Sequence, residues 1–208
     1  MRNAVVMCVI LVCAADALAE EVRSIGTCRI RPGTLCTSMN LTGAQLSDAN
    51  LAHAQFTRSV LTGANLSGAN LDQSDLSRAD LRKADLRTAS LLKTNARGAR
   101  FDEANLGGAL LKGAALQNAN LSGTDCTKAD LAGADLSNAR LDGARLQGAD
   151  LQRANLRASS LKGASLAQAQ LQGANLTGAD LTDADLTGAN IERANFRHAR
   201  TGGCKGCP

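Results

Sequence analysis

Ala64-Asn65-Leu66-Ser67-Gly68, Ala134-Asp135-Leu136-Ser137-Asn138 and Ala179-Asp180-Leu181-Thr182-Asp183 are three copies of one five-residue unit. Outward from any of them the register never breaks. Every fifth residue from Leu41 to Phe196 is apolar, which makes 32 consecutive units. Leu fills 26 of these central positions, and Phe56, Ala96, Phe101, Cys126, Ile191 and Phe196 fill the rest. Two residues before each central residue stands Ala, again in 26 units, with Met39, Ser59, Ser74, Thr94, Thr124 and Ser159 as exceptions.

The period excludes the two ordinary elements. In an α-helix a step of five residues turns a net angle of about 140°, so successive leucines would spiral over every side and leave no apolar stripe. In a continuous strand an odd period sends alternate leucines to opposite faces. The pattern works only if the chain turns a corner in every unit and returns each Leu to a common interior. That is a solenoid. Within the unit, Leu suits the axis and Ala is small enough for the position beside it. Asn or Asp precedes the central residue in 20 units, where its side chain can bond nearby backbone and tolerate a turn. Gly43, Gly63, Gly68, Gly113 and Gly123 follow it by two, where a corner calls for a positive φ. Ala96 and Phe101, small then large in consecutive units, read as a compensating pair. Cys126 reads as an inert buried thiol.

The A-(D/N)-L-x-x spelling resembles the pentapeptide-repeat family over about residues 37–200. The resemblance implies an all-β chain, a right-handed quadrilateral parallel β-helix. Four units would form each coil, with Leu and Ala inside and the other three positions outside. The 32 units then give about eight coils. At the sheet spacing of about 4.8 Å per coil the rod is roughly 38 Å long.

The ends follow other rules. Arg2, an apolar run from Ala4 to Ala15 and the small-x-small triplet Ala17-Leu18-Ala19 before Glu20 form a secretory signal peptide over residues 1–19. Cleavage is expected between Ala19 and Glu20. The apolar run is too short to span a membrane. Residues 20–36 read as an N-terminal cap segment, 37–200 as the β-helix and 201–208 as a Cys-containing tail. Export permits disulfides. Of the five cysteines left after cleavage, Cys28 and Cys36 precede the first coil, and Cys204 and Cys207 follow the last. One local disulfide at each end is the expectation. A redox-active CxxC, a zinc site and reduced thiols are the alternatives for Cys204 and Cys207. The first lacks a thioredoxin-like setting, and the second lacks four ligands in reach. Four N-x-S/T triplets, headed by Asn40, Asn65, Asn120 and Asn175, would carry awkward glycans in a eukaryotic secretory route. The expected address is therefore a bacterial periplasm or the medium, with a photosynthetic lumen as alternative.

Function is less legible. A filled leucine column leaves no substrate pocket, and His53 and His198 stand near opposite ends, so an enzyme is not expected. No cofactor or metal is implied. With four units per coil, central residues 20 apart share a face. The face through Leu41, the face through Leu46 and the face through Leu51 each carry mixed charge. The face through Phe56 carries Arg58, Arg78, Arg97, Arg157 and Arg197, with His198, against only Asp75 and Asp135. The chain has no Trp or Tyr and only three Phe, so a base-stacking nucleic-acid platform is not expected. The resemblance also raises DNA mimicry that protects gyrase. That needs an acidic surface, whereas the chain carries a net charge of +4. The expected role is a non-enzymatic exported scaffold presenting a repetitive polar surface to a protein partner. The alternative is a module binding an anionic polymer through the arginine stripe. Val60, Leu92 and Leu110 are the few outward apolar residues; Leu92 and Leu110 share a face in adjacent coils, a patch smaller than the few hundred Å² that mark an interface.

Overall fold

A computed structural model describes residues 24–208. The leader read over residues 1–19 and its cleavage point at Ala19 and Glu20 lie outside the described residues. The described chain is a right-handed quadrilateral parallel β-helix. Parallel bridges join residues 20 apart in an unbroken series, from Leu35 to Gln55 at one end to Asp185 and Lys205 at the other. Twenty residues per circuit means four units per coil, so each side of a coil contributes one bridging residue.

One unit shows how the backbone is satisfied. The Leu76 N–H donates to the Asn95 carbonyl one coil on (2.7 Å), and Arg78 N–H to the Arg97 carbonyl (2.9 Å). The Ala79 N–H closes a turn on the Leu76 carbonyl (2.9 Å), and Asp80 N–H donates back to the Ser59 carbonyl (2.9 Å). The remaining donor, Ser77 N–H, bonds the Asp75 side chain (2.8 Å). All five N–H groups are thus used, as buried or ladder backbone requires. This explains the Asn/Asp preference before each central residue: the side-chain oxygen takes the one donor that the ladder leaves over. Asn65 with Ser67, Asp130 with Ala132 and Asn175 with Thr177 repeat it.

The corner residue two places after each central residue holds a positive φ, whether or not it is Gly. Gly133 (65°) and Thr88 (56°) share this conformation. It is the turn geometry in which the third residue of four is left-handed.

Inside, every central residue from Leu41 to Leu186 is at most 1% exposed. Ala96 and Phe101 are both buried in one coil, and Cys126 is buried and free. Where a hydroxyl replaces the flanking Ala, it bonds a carbonyl in four cases, Ser59, Thr94 (to Leu71, 2.7 Å), Thr124 (to Phe101, 2.9 Å) and Ser159, whereas the buried Ser74 Oγ has no partner among the described residues. Such pairing removes most of the desolvation cost.

The N-terminal end is covered by an antiparallel hairpin of β1 (Ser24–Ile25) and β2 (Cys28–Arg29). Cys28 joins Cys36 in a disulfide, and both sulfurs lie in the buried cluster. Cys36 continues the central register one unit before Leu41. The ladder therefore reaches a little beyond residues 37–200 at both ends, through positions filled by Cys36 and Thr201, which carry no leucine signal. Cys204 and Cys207 form the second disulfide, against the last coil.

Candidate anion-binding face

The 20-residue circuit fixes which side chains stand above one another. Arg58 and Arg78 occupy the same corner position in consecutive coils. Arg97, Arg157 and Arg197 follow the central residues Ala96, Leu156 and Phe196 on the same side. The structure thus brings all five onto one face. All five are exposed. A Cβ on Gly98 would sit 3.7 Å from Arg78 Cγ, so the stem of Arg78 runs over bare backbone toward the coil of Arg97.

Charge pairing separates this face most clearly from the face through Leu41; among the described residues, on the face through Leu46 Lys128 and Lys205, and on the face through Leu51 Lys93, Lys112 and Arg153, also lack a carboxylate within 4.0 Å. On the face through Leu41, Arg82 meets Asp80 (2.6 Å), Arg100 meets Asp102 (3.5 Å) and Arg140 meets Asp142 (3.7 Å). Lys83 meets Glu103, and Lys162 and Arg200 both meet Asp180 there. The face through Leu46 pairs Arg87 with Asp85 and Arg145 with Asp125, and the face through Leu51 pairs Arg193 with Glu192. Among the described residues, none of Arg58, Arg78, Arg97, Arg157 and Arg197 has a carboxylate within 4.0 Å. The Arg97 guanidinium bonds only Asn95 Oδ1 (3.0 Å), and that of Arg197 only His198 Nε2 (3.1 Å).

The two carboxylates of this face are occupied elsewhere. Asp75 Oδ1 accepts from Ser77 N–H and from Asn95 Nδ2 (3.1 Å). Asp135 accepts from Ser137 N–H (3.0 Å), Asn155 Nδ2 (3.0 Å) and Gln117 Nε2 (2.7 Å). Burial acts to raise both carboxyls, but these hydrogen bonds outweigh it and hold both below the usual carboxylate range. They stay ionised but turn toward the backbone and amides rather than the arginines. On the Leu41 and Leu46 faces, by contrast, the Arg82 and Arg87 guanidinium hydrogen bonds are the main cause lowering Asp80 and Asp85.

No chemistry-bearing cluster competes with this face. Among the described residues, no group of three or more His, Cys, Asp or Glu could hold a metal ion. Burial pushes the Cys126 thiol up to about 12, far from a nucleophile's range. An open depression of about 240 Å³ lies at the N-terminal end, lined by Thr27, Arg29, Arg31, Gly33, Thr34 and Leu35. Leu35, at 79% exposed, is an outward apolar residue that the repeat pattern did not flag, because it precedes the first leucine. No described helix is long and apolar enough to cross a membrane.

The family profile described as pentapeptide repeats matches overlapping segments that together run from residue 40 to residue 200. The chain belongs to the pentapeptide-repeat family. This pentapeptide-repeat protein is similar to the crystal structure of HetL, a pentapeptide repeat protein involved in heterocyst differentiation regulation from the cyanobacterium Nostoc sp. strain PCC 7120. Identity is 37%, over 82% of this chain and 86% of that one, with a TM-score of 0.59. Rfr23 from the cyanobacterium Cyanothece 51142 is 39% identical over 46% of this chain and 63% of that one, with a TM-score of 0.38. A pentapeptide repeat protein from the Arabidopsis thaliana thylakoid lumen is 33% identical over 59% and 68%, with a TM-score of 0.29. Comparison with curated proteins finds no match. The family assignment and the filled axis together make this a non-enzymatic repeat protein whose outer surface is its working part.

Proposed function

We propose that this pentapeptide-repeat protein is an exported scaffold whose arginine-bearing face binds an anionic polymer. The observation that carries the reading is five arginines on one face without a carboxylate partner, beside the face through Leu41, whose cations all meet carboxylates. An unpaired guanidinium keeps its full fork of donors for an incoming carboxylate, sulfate or phosphate. Export rests on the leader pattern of residues 1–19 and is supported by the two disulfides, which persist in oxidising compartments. A periplasmic or secreted address follows, with a photosynthetic lumen as alternative.

The test is retention on immobilised heparin. The chain is expected to bind at low salt and to elute over a narrow salt range. Changing Arg58, Arg78, Arg97 and Arg157 to Gln should remove retention while circular dichroism stays unchanged. Retention unaffected by those changes would sink the reading. In a second reading the repetitive surface serves a protein partner; HetL, to which the chain is similar, is described as involved in heterocyst differentiation regulation. That reading predicts a specific partner captured from a native extract whether or not the arginines are replaced.

A further inference from the structure

Resting on the arginine face as an anion site, we propose that its ligand is a carboxylated polysaccharide, a polyuronate, laid lengthwise along the rod. Three observations point there. The first is direction. The arginines form a lane parallel to the axis, because residues 20 apart bridge along the whole face, from Gln55 and Asp75 to Asn175 and Asn195. Consecutive coils repeat at about 4.8 Å, close to the advance of one linked sugar ring, so each coil can meet one sugar.

The second is chemistry. The cations of this lane are all arginine, with no lysine. Their planar forks match the edge of a carboxylate. The coils through Leu116 and Leu136 carry no arginine there. Their corner positions hold the exposed Asn118 and Asn138, whose amides have no protein partner among the described hydrogen bonds. Free amides between guanidinium groups fit sugar hydroxyls between carboxylates.

The third is charge density. Asp75 and Asp135 remain on the face, and the coils through Leu116, Leu136 and Leu176 lack an arginine. A polyphosphate, like a polyuronate, is charged on every unit, but it has no neutral groups to set against those coils. A uronate chain alternates the side on which its carboxylates project and fills the intervals with neutral hydroxyls. The lane also offers no aromatic ring on which bases could stack.

The experiment measures binding of the full chain to oligogalacturonates of increasing length. Fully methyl-esterified polygalacturonate, long-chain polyphosphate and single-stranded DNA serve as comparators. Affinity for galacturonate should rise with length up to about eight sugars, the number of coils, and esterification should weaken it at least ~10-fold, since each lost ion pair removes a charge-assisted hydrogen bond. Asn118→Ala with Asn138→Ala should weaken galacturonate binding several-fold and leave the weaker binding of polyphosphate, which has no hydroxyls to bond, unchanged. Arg97→Lys should lose most of what Arg97→Gln loses. Saturation at two or three sugars, or a preference for polyphosphate or DNA, would overturn the polyuronate and leave the anion face standing. Equal binding of the uncharged ester would overturn both. Failure to bind any polyanion would overturn both.

Discussion

At the scale of single residues, two demands recur in every unit: a spare N–H that needs an oxygen, and a corner that needs a positive φ. Asp75, Asp130 and Asn175 meet the first by bonding the N–H two places on. Gly meets the second without strain, whereas Thr88, Lys93 and Ala158 hold the same conformation at a cost that non-glycine residues always bear there. Gly133 isolates that cost, because nothing lies within 4 Å of where its side chain would be. Gly133→Ala is expected to lower stability by about 1 kcal/mol, read as a lower thermal midpoint. An unchanged or higher midpoint would show that the corner is less confined than its φ of 65° implies.

At the scale of the coil, stability is carried by contacts with the coils above and below, as in any solenoid. Leu121 is fully buried in mid-column. Leu121→Ala should cost about 3 kcal/mol, and the loss of hydrogen-exchange protection should centre on its own and adjacent coils. Protection lost evenly along the rod would contradict this local accounting. The coil was legible in the sequence because leucines such as Leu66 and Leu136 recur at an odd period that only a chain turning a corner in every unit can bury, and the family resemblance supplied four corners per circuit. Its ends were not. Cys36 and Thr201 continue the circuit in positions where no leucine announces it, and the hairpin of β1 and β2 has no repeat to betray it. The positive φ was readable at Gly43 or Gly63 but not at Lys93, since nothing in a lysine announces a left-handed corner. The arginine face was readable once four units per coil was assumed. Which arginines are left unpaired was not, because pairing depends on how stems lean between coils, as Arg78 does over Gly98.

At the scale of the whole molecule, carboxylates that close turns run along the rod. Asp80 and Asp85 are lowered chiefly by arginine hydrogen bonds, and Asp180 and Asp185 chiefly by Thr hydroxyls. Each folded-state value lies below the unfolded one. Their contribution is therefore fully present above the unfolded carboxylate range near ~4 and is lost as pH falls through the depressed values. The thermal midpoint should stay flat from neutrality to about pH 5 and drop below about pH 4. Asp75→Asn with Asp135→Asn, which keeps the side-chain oxygen but removes the titration, should soften that drop. A drop that begins near pH 6 would implicate other groups.

The constant pitch has one more consequence. Because a circuit takes 20 residues, the compass bearing of any outward side chain is its residue number modulo 20. An insertion of one unit at mid-rod would rotate everything beyond it by a quarter turn, carrying Arg157 and Arg197 out of line with Arg58 and Arg78. An insertion of four units would lengthen the rod and leave the bearing untouched. Growth or shrinkage of such a chain can therefore preserve an aligned surface only in whole circuits, which makes length in this architecture a discrete variable.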